Sequence, residues 1–169
     1  MDDATHIRRS QAGEHASFRA LVERHQRLAY VHALAIVANV DDARDAVQEA
    51  FIDVYRALDR FDPERKFYPW FYVLLRNRCF KLLAGHKRRA TVDLPEGLLA
   101  AYSGPDGDAR TLHRALLELP AEQREMILLK HLDGLTYGEL AERLEIPAGT
   151  VMSRLFHARA RLRALLEAK

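Results

Sequence analysis

Apolar residues recur at three- and four-residue spacing along almost the whole chain. This spacing places them on one face of an α-helix, whereas the alternation typical of strands is weak throughout. One apolar stripe runs from Phe18 to Ile36 and a second from Ala43 to Leu58. A third helix is predicted from about Pro69 to Leu83, because proline is well tolerated in the first turn of a helix. The pattern predicts an all-α fold.

Residues 91–110 interrupt the helical periodicity. They include two prolines, three glycines and four acidic residues, a composition typical of flexible linkers. We therefore predict two small helical domains, residues 1–90 and 111–169, joined by a flexible linker at 91–110.

The C-terminal domain has the spacing of a helix-turn-helix. Thr136 and Glu139 form a capping-box pattern that begins a short helix ending near Leu144. A break at residues 145–147 precedes a longer basic helix from about Ala148. A short capped helix, a tight turn and a basic helix are the elements that helix-turn-helix proteins place against DNA.

The last helix has one apolar face, formed by Val151, Leu155, Ala158, Leu162 and Leu165. Phe156 points away from this face and needs a cover, which a thymine methyl or a base face in the major groove would provide. The predicted DNA contacts of this helix are Thr150, Met152, Ser153, Arg154, Phe156, His157 and Arg159. An ordinary amphipathic helix with a solvated basic face and a partner-covered phenylalanine is the alternative.

Charge separates strongly along the chain, although the net charge is only +2. No acidic residue occurs from Arg65 to Val92, a stretch that contains eight basic residues with aromatic residues among them. Such a stretch suits nucleic acid, because cations meet phosphates and rings stack on unpaired bases. Core packing is the alternative for the aromatic residues, and we expect at least partial burial of Trp70 and Phe71.

The second helix carries an opposite, acidic face made of Asp41, Asp45, Gln48 and Glu49. This face either solubilises the domain or docks onto a basic protein partner. The segment alone leaves both readings open.

An enzyme is not indicated. The chain has no phosphate-binding glycine loop, no paired-histidine metal motif and no nucleophile triad, so neither a cofactor nor a metal is expected. His25 and His32 are predicted to be packing residues, and the single cysteine, Cys79, a buried small hydrophobe. One cysteine, a polar N-terminus and no run of about 20 apolar residues favour a cytoplasmic protein without membrane insertion.

Three stretches together resemble the extracytoplasmic-function (ECF) sigma factors of bacterial RNA polymerase, over residues 15–166. The first is Asp42–Phe51. The second is Arg60–Pro63 followed by Trp70 and Arg76–Asn77. The third runs from Leu119–Glu125 through Gly134–Tyr137 to Gly149–Leu155. The order and spacing of all three are specific, although no single stretch is.

The resemblance implies an alternative sigma factor that binds core RNA polymerase, recognises promoter DNA and has no catalytic activity of its own. Asp41, Asp45, Gln48 and Glu49 would dock on the polymerase clamp, the linker would thread toward the RNA exit path, and an anti-sigma factor would be a further partner. The loop from Phe61 to Tyr68 would capture a flipped base. The implied minus-ten contacts are Phe61, Arg65, Lys66, Phe67, Tyr68, Trp70, Arg76, Asn77, Lys87, Arg88 and Arg89. The last helix would read the minus-thirty-five element.

Some residues depart from the family pattern. Glu145 stands where the turn usually has glycine, at a position that often needs a left-handed backbone. Met152 replaces a frequently basic residue, and Lys81 stands where many relatives have aspartate.

The chief rival is a helix-turn-helix regulator that binds an operator as a dimer and senses a signal with its N-terminal domain. It shares the C-terminal features but does not explain an acidic helix followed by a basic aromatic one. A regulator would bind duplex operator alone, whereas a sigma factor would need core polymerase.

Overall fold

A computed structural model of the chain describes residues 2–85, 109–131 and 133–168. These residues form helices and connecting turns, with no strand among them, so the predicted all-α fold is confirmed. The helices are α1 (Asp3–Gln11), α2 (His15–Val37), α3 (Val40–Ala57), α4 (Phe67–Gly85), α5 (Ala109–Glu118), α6 (Ala121–His131), α7 (Tyr137–Leu144) and α8 (Ala148–Glu167). A 3₁₀ turn, Leu58–Arg60, follows α3.

The helices divide into two compact units, which confirms the prediction of two helical domains. The first contains α1, most of α2, α3 and α4; the second contains α5 to α8, and the segment Leu34–Val40 groups with it. Most of the predicted linker, residues 91–108, lies outside the described residues, and α5 already begins at Ala109. The domain boundaries at residues 90 and 110 therefore stay predictions.

An aromatic cluster forms the centre of the N-terminal unit. We use this name for Phe51, Phe61, Phe67, Trp70 and Phe71. Phe51 stacks on Phe71 with ring centroids 4.5 Å apart, and Phe61 lies 4.3 Å from Trp70. Each buried aromatic side chain removes a large apolar area from water. The cluster therefore joins α3, α4 and the loop between them into one core.

The ends of α3 and α4 differ from the predicted ones. Helix α3 stops at Ala57 because the chain tightens into the 3₁₀ turn before Phe61 becomes extended. Helix α4 begins two residues before Pro69. Proline fits there because the first four N–H groups of a helix have no intrahelical acceptor.

The C-terminal unit is built around a cluster of buried apolar side chains, namely Leu116, Leu119, Met126, Ile127, Leu155 and Ala158. Arg124 is buried beside them and donates to the carbonyl oxygens of Leu117 at 3.1 Å and Leu119 at 3.2 Å. Carbonyl groups at the end of a helix lack intrahelical donors. Arg124 thus closes the C-terminal end of α5.

The two ends of α7 confirm the predicted turn chemistry. The Thr136 N–H donates to a carboxylate oxygen of Glu139 at 2.8 Å, and the Glu139 N–H donates to the Thr136 hydroxyl oxygen at 3.2 Å. At the other end, Glu145 has φ 54° and ψ 41°, in the left-handed region. A residue with a Cβ is disfavoured there by about 1 kcal/mol, so the turn of the helix-turn-helix is strained at this position.

Glu145→Gly should relieve that strain. We expect the free energy of unfolding to rise by about 0.5–1 kcal/mol, since the greater freedom of glycine in the unfolded chain offsets part of the gain. Glu142→Gly is the matched control: it also removes an exposed glutamate, but within α7, and should destabilise by up to about 1 kcal/mol. Thermal unfolding of the full chain measures both. A lower unfolding midpoint for Glu145→Gly would contradict the prediction.

Candidate nucleic-acid interface

Helix α8 buries one face and exposes the other, as predicted. Val151, Leu155 and Ala158 are buried, whereas the side chain of Phe156 is 69% exposed and that of Met152 is 56% exposed. A large ring held in water beside a second apolar side chain is unfavourable unless a partner covers them. We call this exposed face, which also carries Ser153, the α8 reading face.

Polar groups accompany the rings on the α8 reading face. The Ser153 hydroxyl donates to the Thr150 carbonyl oxygen at 3.1 Å, which leaves the hydroxyl oxygen able to accept a hydrogen bond from a base. The exposed His157 ring meets Phe156 edge to face, with centroids 5.6 Å apart. The face therefore combines apolar contact with hydrogen-bonding groups.

Two arginines flank the α8 reading face, and each lies near a polar neighbour in the same unit. Arg154 lies 3.8 Å from the Glu122 carboxylate, and the Arg159 guanidinium lies 3.3 Å from His131 Nε2. Partial burial and the positive charges of Arg159 and Lys130 lower the pKa of His131. The imidazole is therefore neutral at neutral pH, and its Nε2 can accept from Arg159.

The aromatic residues of the basic stretch turn mainly inward. Phe61 and Phe67 are only 6% and 2% exposed, because their rings belong to the aromatic cluster. The prediction that these two rings meet DNA needs correction: neither is open to a base in this structure. The expected burial of Trp70 and Phe71 is confirmed, since Trp70 is half-buried and Phe71 fully buried.

Tyr68 is half-buried at the start of α4, and its hydroxyl lies 2.6 Å from Nδ1 of the buried His32. His25 packs beside Tyr68, and its Nε2 lies 2.9 Å from the Asp3 carboxylate. Burial lowers the pKa of His25 against the attraction of Asp3. Both histidines are packing residues, as predicted, and Cys79 is buried. The part of the chain that the structure describes contains no cluster of metal-ligating side chains.

The exposed polar side chains of the same stretch include the cations Arg65 and Lys66 and the amide Asn77. The guanidinium of the half-buried Arg76 lies 4.5 Å above the Phe80 ring, a cation–π contact that orients it. Residues 87–89, which include three predicted DNA contacts, lie outside the described residues.

Arg78 has a partner that sequence reasoning missed. Its Nε and Nη2 donate to the two carboxylate oxygens of Asp53 at 2.6 Å each, and Nη1 lies 3.4 Å from Glu49. The hydrogen bonds from Arg78 lower the pKa of Asp53, despite the opposing effect of partial burial. Arg78 therefore joins α4 to α3. The sequence signal was the pair Glu49 and Asp53, four residues apart on one helix.

The predicted polymerase-binding residues share one exposed side of α3. Asp41, Asp45 and Gln48 are exposed, and Glu49 is half exposed although it pairs with Arg78. We call these four residues the α3 acidic face.

An apolar groove of about 900 Å³ lies between α2 and α3 and reaches Gln48. Sequence reasoning missed it because its walls come from two helices; the signal was Tyr55, an aromatic residue outside the α3 stripe that is half exposed. The groove is lined by Phe18, Val22, Gln26, Arg27, Tyr30, Arg44, Val47, Gln48, Phe51, Ile52, Tyr55 and Arg56.

Comparison with known proteins decides the family. Residues 21–89 match Sigma-70 region 2 and residues 109–162 match Sigma-70 region 4. The ECF RNA polymerase sigma-E factor of Escherichia coli is 35% identical over 94% of this chain and 91% of its own length. The chain belongs to the ECF sigma factors. The RNA polymerase sigma-H factor of Pseudomonas aeruginosa is 30% identical over 90% of this chain and 88% of that relative.

Solved structures support the assignment of this sigma factor. CnrH, in complex with the cytosolic domain of CnrY, matches with a TM-score of 0.74 and 27% identity over 99% of this chain and 98% of that one. The sigma factor RpoE, in complex with the anti-sigma factor NepR from Bartonella quintana, has the same fold, with a TM-score of 0.71 and 24% identity over 89% of this chain and 96% of that one.

The predicted function is confirmed at the level of the family: the protein is an alternative sigma factor that directs promoter-specific transcription initiation. The α3 acidic face and the cations of α4 lie within region 2, and the α8 reading face lies within region 4. None of the described helices of this sigma factor is long and apolar enough to cross a membrane.

The Asp53–Arg78 pair makes the stability of the sigma factor depend on pH. Because folding lowers the pKa of Asp53, the pair stabilises the fold above the ordinary carboxyl pKa of 3.8, and this contribution is lost as the pH falls through the lowered value. Asp53→Asn should cost about 1 kcal/mol at neutral pH. The difference from wild type should shrink below about pH 4.

Denaturant unfolding of both proteins across this pH range measures the effect. Asp59→Asn, which changes an exposed acid of the same unit, should alter stability little at any pH. An equal loss for Asp53→Asn at neutral and acidic pH would contradict the pairing.

Proposed function

We propose that this sigma factor contacts core polymerase with the α3 acidic face, the minus-ten element with the loop before α4 and with α4 itself, and the minus-thirty-five element with the α8 reading face. The observation that carries this proposal is the exposure of Phe156 on a helix whose opposite face is buried. Its finer assignments rest on the positions of individual side chains.

The α8 reading face suits the major groove. Phe156 and Met152 provide apolar contact with thymine methyl groups, while Ser153 and His157 offer hydrogen bonds to base edges. Arg154 and Arg159 flank this surface and reach phosphates. Thr150, near the first turn of α8, lies close to N–H groups that favour another phosphate.

The loop before α4 and α4 itself suit single-stranded DNA. Arg65, Lys66 and Asn77 are exposed for the backbone, and Arg76 is held over a ring beside them. The half-buried rings of Tyr68 and Trp70 have faces for a flipped base. We assign Phe61 and Phe67 to support beneath this surface, and Lys87, Arg88 and Arg89 stay proposed phosphate contacts.

The α3 acidic face and the adjoining groove suit a protein partner. Asp41, Asp45, Gln48 and Glu49 offer charge and hydrogen bonds, and the groove offers apolar area next to Gln48. Core polymerase is the proposed occupant. An anti-sigma factor is a further proposed partner, since one solved relative is CnrH bound to the cytosolic domain of CnrY and the other is the sigma factor RpoE bound to the anti-sigma factor NepR.

The proposal includes no catalytic activity, cofactor or metal for this chain, and it locates the protein in the cytoplasm. Phosphoryl transfer belongs to core polymerase. The chain would comprise a domain of residues 1–90, a linker at 91–110 and a domain of residues 111–169. The first domain would contact the minus-ten element, and the second would contact the minus-thirty-five element.

Reconstituted transcription tests the function. Core polymerase and the purified chain are incubated with genomic fragments, and initiation sites are mapped. We expect specific start sites that core polymerase alone does not produce. Initiation no different from that of core alone, with an active core preparation, would defeat the proposal.

Phe156→Ala and Ser153→Ala should each weaken recognition of the upstream element. The loss of one base contact is worth about 1–3 kcal/mol, or roughly five- to 150-fold in binding. Leu166→Ala is the control, because Leu166 is also an exposed apolar side chain of α8. Holoenzyme binding to promoters with intact and substituted upstream elements measures this recognition. Unchanged discrimination in both variants would reject the assigned contacts.

Asp45→Lys should weaken the complex with core polymerase about tenfold, because reversing a charge replaces attraction with repulsion. Glu23→Lys reverses an exposed acid on α2 of the same unit and is the control. Fluorescence anisotropy of labelled sigma factor titrated with core gives both affinities. Equal losses in the two variants would show that net charge, not the α3 acidic face, controls docking.

A further inference from the structure

Helix α1 contacts the rest of the N-terminal unit at its start, in its middle and at its end. Near its start, the Asp3 carboxylate lies 2.7 Å from Arg24 and 2.9 Å from His25, both on α2. In the middle, Ile7 is completely buried. At its end, the Gln11 side chain reaches the segment between α3 and α4.

The contact made by Gln11 is specific. Its amide nitrogen donates to the carbonyl oxygens of Leu58 and Phe61, each at 2.8 Å. The side-chain amide of glutamine carries two N–H donors, so one residue satisfies two backbone acceptors about 50 positions away in the chain. These two acceptors lie at the start of the segment that leads to Arg65 and Lys66.

The backbone that carries Gln11 is itself fixed. Gly13, with φ 92°, turns the chain out of α1, and its N–H donates to the Ser10 carbonyl oxygen at 2.9 Å. Such a turn closes the C-terminal end of a helix. The side chain of Gln11 thus starts from a rigid position.

The segment that Gln11 holds is a loop with short turns. The Glu64 N–H donates to the Asp62 carboxylate and the Arg65 N–H to the Asp62 carbonyl oxygen, both at 3.0 Å. The side chain of Phe61, at the start of this loop, lies in the aromatic cluster and packs on Trp70. Arg8 of α1 also pairs with Glu64, but both side chains are largely exposed, so this pair contributes little.

We propose that Gln11 is a positioning residue for minus-ten recognition: its two hydrogen bonds hold the loop of residues 58–66 in the conformation that presents Arg65 and Lys66 to the promoter backbone, beside the rings proposed to take the flipped base. The inference rests on the proposed function, which assigns this loop to the minus-ten element. Gln11 itself touches no DNA in this account. It acts by keeping the loop ordered before DNA arrives, so that less conformational freedom is lost on binding.

The test uses the full chain and two substitutions of Gln11. Gln11→Leu keeps the size and the helix propensity but has no donor, and Gln11→Glu keeps the shape but presents only acceptors at neutral pH. Leu21→Val is the control, since it removes a buried methylene from α2 of the same unit and lowers stability without changing either hydrogen bond.

The first measurement is amide hydrogen exchange of the free protein. We expect the Phe61, Glu64 and Arg65 amides to exchange about tenfold faster in both Gln11 variants. This factor corresponds to a decrease of about 1.4 kcal/mol in the free energy of local opening of the loop. Leu21→Val should leave the ratio of loop to core exchange unchanged. Equal exchange of the loop in Gln11→Leu and Leu21→Val would overturn the inference.

The second measurement is open-complex formation by the holoenzyme on a promoter recovered by the transcription assay, followed with permanganate. Both Gln11 variants should form open complexes about tenfold more slowly and discriminate less against a substituted minus-ten base, with unchanged affinity for core. Full discrimination despite faster loop exchange would overturn the positioning role. If the wild-type chain does not initiate transcription with core polymerase, the proposed function and the role of Gln11 in promoter recognition are both contradicted. Hydrogen exchange of the free protein still shows whether Gln11 holds the loop.

Discussion

The burial of the aromatic cluster is the constraint on which the N-terminal unit depends. Phe51, Phe67 and Phe71 stack through the interior, and Phe61 carries the loop between α3 and α4 into the same core. Once these rings are inside, the side chains between them must point outward. The exposed cations Arg65 and Lys66 lie between the buried rings of Phe61 and Phe67, so their exposure follows from how these aromatic residues pack.

In the C-terminal unit, too, the packing of one helix face determines which side chains are exposed. Val151, Leu155 and Ala158 fill one face of α8, and the opposite face holds Phe156 in water. Neighbouring residues then orient the charged groups on its flanks. This arrangement places a preformed surface on a rigid helix, so little order has to be gained when it meets a duplex.

Local features were predictable from the sequence, and long-range ones were not. The faces of α8 and the capping box of α7 follow from helical periodicity and capping chemistry, and the left-handed backbone at Glu145 follows from the family pattern, in which glycine usually stands there. Neither a basic aromatic composition nor a family resemblance distinguishes a ring packed against another helix from a ring offered to a ligand, and the structure shows Phe61 and Phe67, both predicted to contact DNA, buried. The Asp53–Arg78 pair, the groove between α2 and α3 and the Gln11 contact join residues from separate elements. A pattern within one element, such as Glu49 and Asp53 on α3, can indicate that a partner is needed, but it does not identify that partner.

The central claim is that this chain recognises promoter DNA as part of a larger polymerase and not as a free regulator. The most direct measurement is binding of one labelled promoter duplex by the chain alone, by core polymerase alone and by the two together, each at matched salt because phosphate contacts are salt-dependent. We expect sequence-specific binding only when both are present. Tight, sequence-specific binding of the duplex by the isolated chain, unchanged on addition of core, would contradict it.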